Sequence, residues 1–299
     1  MKKIFLALLL IYFACTIHAQ NGNEKTGSLL WEISGNGLEQ PSYIFGTHHL
    51  FPLSFLDSIT GLKQAFASCE QVVGELMLND ITALSVEIQK AGIMPQDTTW
   101  QMLLSEDDYR FVDGRLTAIF GVGLQSFGIF KPSMVSMAYK VSFHEKTFSN
   151  INPNEAFDVW FQQQAIMRDI PVVGLETVQD QISVIFEMSS LKSQADDLVC
   201  ALKNEDFMEL NTKKLNHLYR NADLVGLYAM FFEESPCLSN DEQQVAMNET
   251  RNKKWLEKLP FIMEDKPSFI AVGCLHLAGE VGLLFGLEKA GYTVKPVLD

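Results

Sequence analysis

Two stretches decide the fold: Tyr43-Ile44-Phe45-Gly46-Thr47-His48-His49 and Ile270-Ala271-Val272-Gly273-Cys274-Leu275-His276. Each runs from an apolar strand through a glycine and two further residues to a histidine. A glycine closing a strand lets the backbone turn sharply, and the histidine three positions on is then displayed at the strand's end. Open α/β sheets place ligand sites at the carboxyl ends of their strands. Two such histidines on neighbouring strands can therefore converge on one site.

Outward from these stretches the chain alternates strands with helical spacing. Leu29 to Ile33 reads as a strand, and Ser34 to Pro41 carries a turn signal. With Ser42 to Phe45 it forms an expected hairpin. Helical spacing follows at Ser58 to Ser68, then a β-like run from Gln71 to Leu78. Roughly 80–165 and 178–258 read as helical, with a strand at Pro171 to Leu175 between them. Ser268 to Val272 is a buried-type strand, Glu280 to Ala290 a helix stopped by Gly291, and Tyr292 to Val294 the start of a last strand. The expected fold is α/β (α+β): a mixed β-sheet core flanked by helices, with a large helical middle region. Residues 29–299 are expected to form a single domain.

The first nineteen residues read as an export signal. Met1-Lys2-Lys3 is a positive start, Ile4 to Phe13 an apolar run too short to span a bilayer, and Ala19 a cleavage position. Lipid attachment at Cys15 is the secondary reading, because Tyr12 and Phe13 suit a lipoprotein cleavage site poorly. Residues 20–28 are expected to be a loose N-terminus of the mature chain, exported to a periplasm or secreted. No later run suits a membrane helix. An oxidising destination allows disulfides among Cys69, Cys200, Cys237 and Cys274. Four cysteines permit three pairings; Cys200–Cys237, flanking one helical stretch, is the favoured pair, against a reading of four buried thiols.

Hydrophobic residues make up 47% of the 299, enough for a sizeable core, and the formal net charge is -14. Such an acidic chain is poorly suited to a phosphate backbone, so no nucleic-acid partner is expected. No His-Glu-x-x-His helix, Gly-x-Ser-x-Gly elbow or phosphate-cradling loop is present.

The chemistry therefore rests on the two Gly-x-x-His elements and two carboxylates. Glu75 lies within the apolar run Val72 to Leu78, and Glu176 follows Gly174-Leu175 at a strand end. Carboxylates beside such apolar strands need a partner, a metal or an arginine. Imidazoles with carboxylates are a common divalent-metal set. The bland reading of each is a turn with a surface histidine, an edge-strand carboxylate, or a helix N-terminal charge. His144 and His217, in helical polar stretches, read as surface residues.

The chain resembles the TraB/GumN family, which includes the Tiki-type proteases. The resemblance runs from Trp31 and the block ending in His49 through Val-Val-Gly-Glu75-Leu, Lys131-Pro132 and Phe157-Asp158. It continues with Pro171-Val-Val-Gly-Leu-Glu176-Thr177, Gln181 and Arg251-Asn252 before Trp255. It closes with Phe-Ile-Ala-Val-Gly-Cys-Leu-His276-Leu-Ala-Gly279-Glu280 and Gly-Tyr-Thr-Val. It implies a metal-dependent hydrolase related to ChaN and the erythromycin-esterase-like proteins. In that family the two histidines, here His49 and His276, and a glutamate, here Glu75, are active-site residues, and Glu176 and Arg251 match further motif positions. Tiki-type members are linked to manganese or cobalt and cut peptide bonds near the N-termini of partner proteins; zinc also suits the donors. The chain departs from the family at His48, where an apolar residue is common. The resulting expectation is metal-assisted hydrolysis of a peptide or protein. His49, Glu75 and His276 would be metal ligands, Glu176 a general base or further ligand, and Arg251 the oxyanion stabiliser. The alternatives are a non-catalytic peptide-binding protein of the same fold and an esterase acting on a small molecule.

Overall fold

A computed structural model of the chain describes residues 27–78, 81–147, 156–237 and 241–298. The expected signal peptide, Cys15 and the first part of the loose N-terminus lie outside the described residues. The strands are β1 (Leu30–Ser34), β2 (Ser42–Thr47), β3 (Gln71–Gly74), β4 (Val172–Gly174), β5 (Ser268–Gly273) and β6 (Thr293–Pro296). The helices are α1 (Leu62–Ser68), α2 (Ile81–Ala91), α3 (Trp100–Leu103), α4 (Glu106–Phe120), α5 (Pro132–Thr147) and α6 (Phe157–Met167). They continue as α7 (Val178–Ile182), α8 (Leu191–Lys203), α9 (Glu205–Arg220), α10 (Leu224–Ala229), α11 (Asp241–Asp265) and α12 (Leu283–Lys289).

The fold is α/β, around one sheet of order β4-β3-β5-β2-β1-β6. The β1–β2 hairpin is antiparallel, as its turn signal predicts, and β6 adds antiparallel to β1. The other pairings, β2 with β5, β5 with β3 and β3 with β4, are parallel. Strands buried on both faces carry continuous apolar runs, and Phe269 to Val272 is one, with every member buried.

One hydrophobic core wraps this sheet. Phe45 lies against Phe157, Phe161 and Phe269, with ring centroids 5.6 to 6.5 Å apart. Burying a Phe-sized side chain contributes roughly 1.5–3 kcal/mol, so the cluster fixes α6 on the sheet. A second core, with Trp100, Leu116, Tyr139 and Leu198, joins α3, α4, α5 and α8 in the helical middle region. Cys200 and Cys237 form the favoured disulfide, with Cα atoms 5.5 Å apart, while Cys69 and Cys274 are buried free thiols.

Three sequence expectations change. The run Gln71 to Leu78 stops being strand at Gly74, and Glu75 lies beyond its end. There the Gln162 side chain replaces a neighbouring strand: its Oε1 accepts from Leu78 N–H at 2.7 Å and its Nε2 donates to Leu76 O at 2.8 Å. The helix expected to stop near residue 258 continues as α11 through Pro260 to Asp265. Its Trp255, Leu259 and Met263 are buried in the sheet core, and that packing outweighs the proline's lost bond. His144, expected at the surface, is buried, with its ring 5.3 Å from that of His48; His217 is exposed as expected.

Candidate active site

The four parallel strands β4, β3, β5 and β2 are adjacent in the sheet, and each delivers a candidate residue just past its carboxyl end. β2 gives His49, β3 gives Glu75, β4 gives Glu176 and β5 gives His276. Thr47 pairs with Gly273 and Gly74 with Gly174, while Gly74 pairs with Ala271, so β3 and β4 end two residues before β5 and β2. α11 brings Arg251, Asn252 and Trp255 over these ends.

The glycines act by close approach rather than by turning the chain. A Cβ on Gly46 would lie 2.8 Å from Leu277 Cδ1 and 3.0 Å from Cys274 Cβ. One on Gly273 would lie 3.2 Å from Glu75 Oε1. Gly273 N–H instead donates to that oxygen at 2.8 Å. The absent side chain therefore lets a carboxylate reach the backbone.

Arg251 is the hub. Its Nε and Nη2 donate to the two Glu176 oxygens at 2.9 and 2.6 Å, a bidentate pair. Nη2 also donates to Glu75 Oε2 at 2.6 Å, and Nη1 lies 3.0 Å from His276 Nε2. The guanidinium lies 4.8 Å from the Trp255 ring centroid. Burial works against its charge, but Glu176 and Glu75 outweigh that and hold it protonated. Gln181 Nε2 donates to Glu75 Oε2 at 3.3 Å. Burial alone would raise Glu75; His276, Arg251, His49 and the Gly273 N–H outweigh it and bring its pKa to about 2.

The two histidines sit in opposite environments. His276 is buried, 4.4 Å from the Trp255 ring, with Nδ1 2.7 Å from Asn252 Oδ1. Asn252 Nδ2 donates to the carbonyls of His276 and Val281, so its Oδ1 must face the imidazole as an acceptor. Nδ1 of His276 therefore carries the proton, and Nε2 offers its lone pair to Arg251. Burial lowers the His276 pKa to about 4, against the pull of Glu75. His49 is 63% exposed, and its Nδ1 lies 2.8 Å from Asp158 Oδ2. Thr47 Oγ1 fixes that carboxylate by donating to Asp158 Oδ1 at 3.0 Å. Asp158 raises the His49 pKa, an effect that solvent around so open a ring weakens.

His276 Nε2 and Glu75 Oε1 are 4.0 Å apart, and both histidines have the tethered Nδ1 typical of metal ligands. Yet among the described residues no three His, Cys, Asp or Glu side chains group closely enough to hold a metal ion. His49 is engaged with Asp158, and the guanidinium stands between Glu75 and His276. As arranged, the donors do not fit a divalent ion.

Four of the five sequence candidates thus lie just past strand ends, and the fifth, Arg251 on α11, joins three of them, Glu75, Glu176 and His276. Asp158, Asn252 and Trp255 appear in the sequence only as landmarks of the resemblance. Nothing in their local pattern announces that they hold the site.

An α/β protein with this strand-end cluster of His, Glu and Arg defines a class of site before it defines a relative. Residues 29–296 match the model of the TraB/PrgY/gumN family, and the chain belongs to that family. No curated protein and no solved structure matches the chain.

Proposed function

We propose that the chain is a hydrolase that cleaves peptide bonds at the strand-end site. The observation that carries this reading is the divergence of the two histidines. His276 is buried and held as the neutral base, while His49 is open to solvent and paired with Asp158 as the acid. Groups whose environments push their pKa values apart divide acid and base roles between them.

In this reading His276 Nε2 takes a proton from the attacking water while Asn252 keeps the ring in its tautomer. Arg251 turns a donor from His276 toward the carbonyl oxygen and stabilises the negative charge that develops there. His49 gives its proton to the leaving amine, and Asp158 holds the ring. Glu75 anchors Arg251 beside the Gly273 backbone. Both Glu176 oxygens already serve the guanidinium, so Glu176 positions Arg251 rather than acting as the base. Manganese, cobalt or zinc, implied by the resemblance, finds no fitting donor set among these residues as arranged. The proton transfers above need only the chain's own side chains.

The test is digestion of a peptide library read by mass spectrometry, with chelator and with each metal. His49→Ala and His276→Ala should each lose hydrolysis by about 100-fold or more while keeping the folded far-UV spectrum. Near-normal hydrolysis by both variants would sink the proposal. Binding without cleavage by the unmodified chain would favour the non-catalytic alternative.

A further inference from the structure

Beside the strand ends, between α5, α8, α9 and α10, lies a cavity of about 650 Å³. The volume falls within the roughly 300–1,000 Å³ range of sites that take small ligands. The cavity reaches the same end of the sheet through Leu275, the residue before His276, but the cluster of Glu75, Glu176 and Arg251 lies outside it. A five-residue π-helical turn, Ser183–Glu187, supplies part of its wall through Ile185. Such turns give up regular helical hydrogen bonding and occur mostly at functional sites. Directly before this one, α7 carries Gln181, whose side chain bonds Glu75. The turn therefore links the cavity to the strand-end cluster.

Two opposite charges stand in the lining, Lys140 on α5 and Asp197 on α8. Neither has a hydrogen-bond or ion-pair partner among the described residues. They form no ion pair with each other, yet Asp197 still acts on Lys140 through space. The Lys140 side chain keeps access to solvent, but enough protein surrounds its ammonium to lower its pKa, against the pull of Asp197. The lining's remaining carboxylate, Glu233, is taken by Lys214. Met208, Met230, Leu215 and Leu275 give the cavity an apolar wall, and its methionines can adapt to different shapes.

A partly enclosed charge without a counter-ion is costly, and a ligand that supplies one gains a charge-assisted hydrogen bond. A simple anion would suit Lys140 but face Asp197, and a simple cation would do the reverse. A wholly apolar ligand would strip water from both. A molecule with both signs satisfies the pair. We propose that this cavity binds a small zwitterion with an apolar side chain, a free amino acid or dipeptide, its carboxylate on Lys140 and its ammonium on Asp197. The methionines and leucines cover the side chain. This goes beyond the peptidase reading and does not rest on it.

The test is isothermal titration calorimetry at pH 7 on the full mature chain. The probes are leucine, the dipeptide Leu-Leu, leucinamide, which lacks the carboxylate, N-acetyl-leucine, which lacks the ammonium, and glycine, which lacks the apolar side chain. Leucine or Leu-Leu should bind, and the tighter of the two gives the ligand's size. Leucinamide, N-acetyl-leucine and glycine should each bind more weakly by about tenfold or more. Lys140→Gln should erase the preference for leucine over leucinamide, and Asp197→Asn the preference over N-acetyl-leucine. Neither side chain bonds within the protein, so both variants should keep the folded far-UV spectrum. Binding of neither leucine nor Leu-Leu overturns the proposal. Equal binding of the blocked forms does the same, as do preferences that survive in both variants. His276→Ala should leave the binding unchanged. Zwitterion binding without any peptide cleavage would therefore remove the peptidase reading alone, and cleavage without zwitterion binding would remove this proposal alone.

Discussion

Asn252 decides which nitrogen of His276 carries the proton. Its amide is oriented by two backbone carbonyls, so only its oxygen can face the ring. Asn252→Leu removes that acceptor and frees the ring to change tautomer. The expected result is a loss of about 10- to 100-fold in hydrolysis, with a shift in the His276 ring nitrogen signals by NMR. Asn252→Asp keeps an acceptor and should recover the tautomer signature. An unchanged ring spectrum in Asn252→Leu would refute the assignment. His49, His276, Glu75 and Glu176 were legible in the sequence, because a glycine before a histidine, and a carboxylate beside an apolar strand, are local patterns; Arg251 came from the resemblance alone. Asn252, Asp158 and Trp255 were not legible as site residues, because each acts on a partner distant in the chain: Trp255 and Asn252 on His276, and Asp158 on His49.

At the scale of elements, local pattern and packing compete. The hairpin and β5 follow their sequence signals because alternation, turns and apolar runs are complete within a few residues. The helical spacing reads only to about residue 258, yet α11 passes through Pro260 because buried neighbours on both sides hold it to the sheet. Gln71 to Leu78 reads as one strand, yet it ends at Gly74, and beyond it Gln162 takes the backbone bonds of Leu76 and Leu78. The disulfide is a further element-scale device, closing a sequence separation of 37 residues. Replacing both Cys200 and Cys237 with serine should lower unfolding free energy by about 2–4 kcal/mol. Urea unfolding of the double variant checks this. An unchanged midpoint would mean that the tie constrains neither the unfolded chain nor the folded loop.

For the whole molecule, the site sets an acid limit on stability. Glu75 has a folded pKa of about 2 against an ordinary 4.5, so its contribution is full above 4.5 and is lost as pH falls toward 2. His276, near 4 against 6.5, binds its proton later in the folded chain than in the unfolded one. Its contribution therefore declines from pH 6.5 and is gone below 4. Burial, with His144 and His49, takes His48 to about 3, so it acts in the same sense. In each case the unfolded state holds more protons, so stability rises with pH. The urea midpoint should fall steadily from pH 7 to pH 4, and His276→Gln should flatten part of that fall. A midpoint indifferent to pH over this range would contradict the buried, neutral His276.

The sequence by itself determined the α/β class, the strand cores, the Gly-x-x-His elements and the carboxylates Glu75 and Glu176, whereas Arg251 entered only through the resemblance. Those signals are written in periodicity and in residues a few positions apart. Tertiary structure alone decided that Arg251 stands between Glu75, Glu176 and His276, and that one histidine is sealed while the other is open. It also decided that Gly46 and Gly273 serve close contact instead of turns. Those outcomes depend on which strands become neighbours and what α11 lays over their ends. Charge, burial and hydrogen bonding are set by such neighbours, and no stretch of sequence contains them.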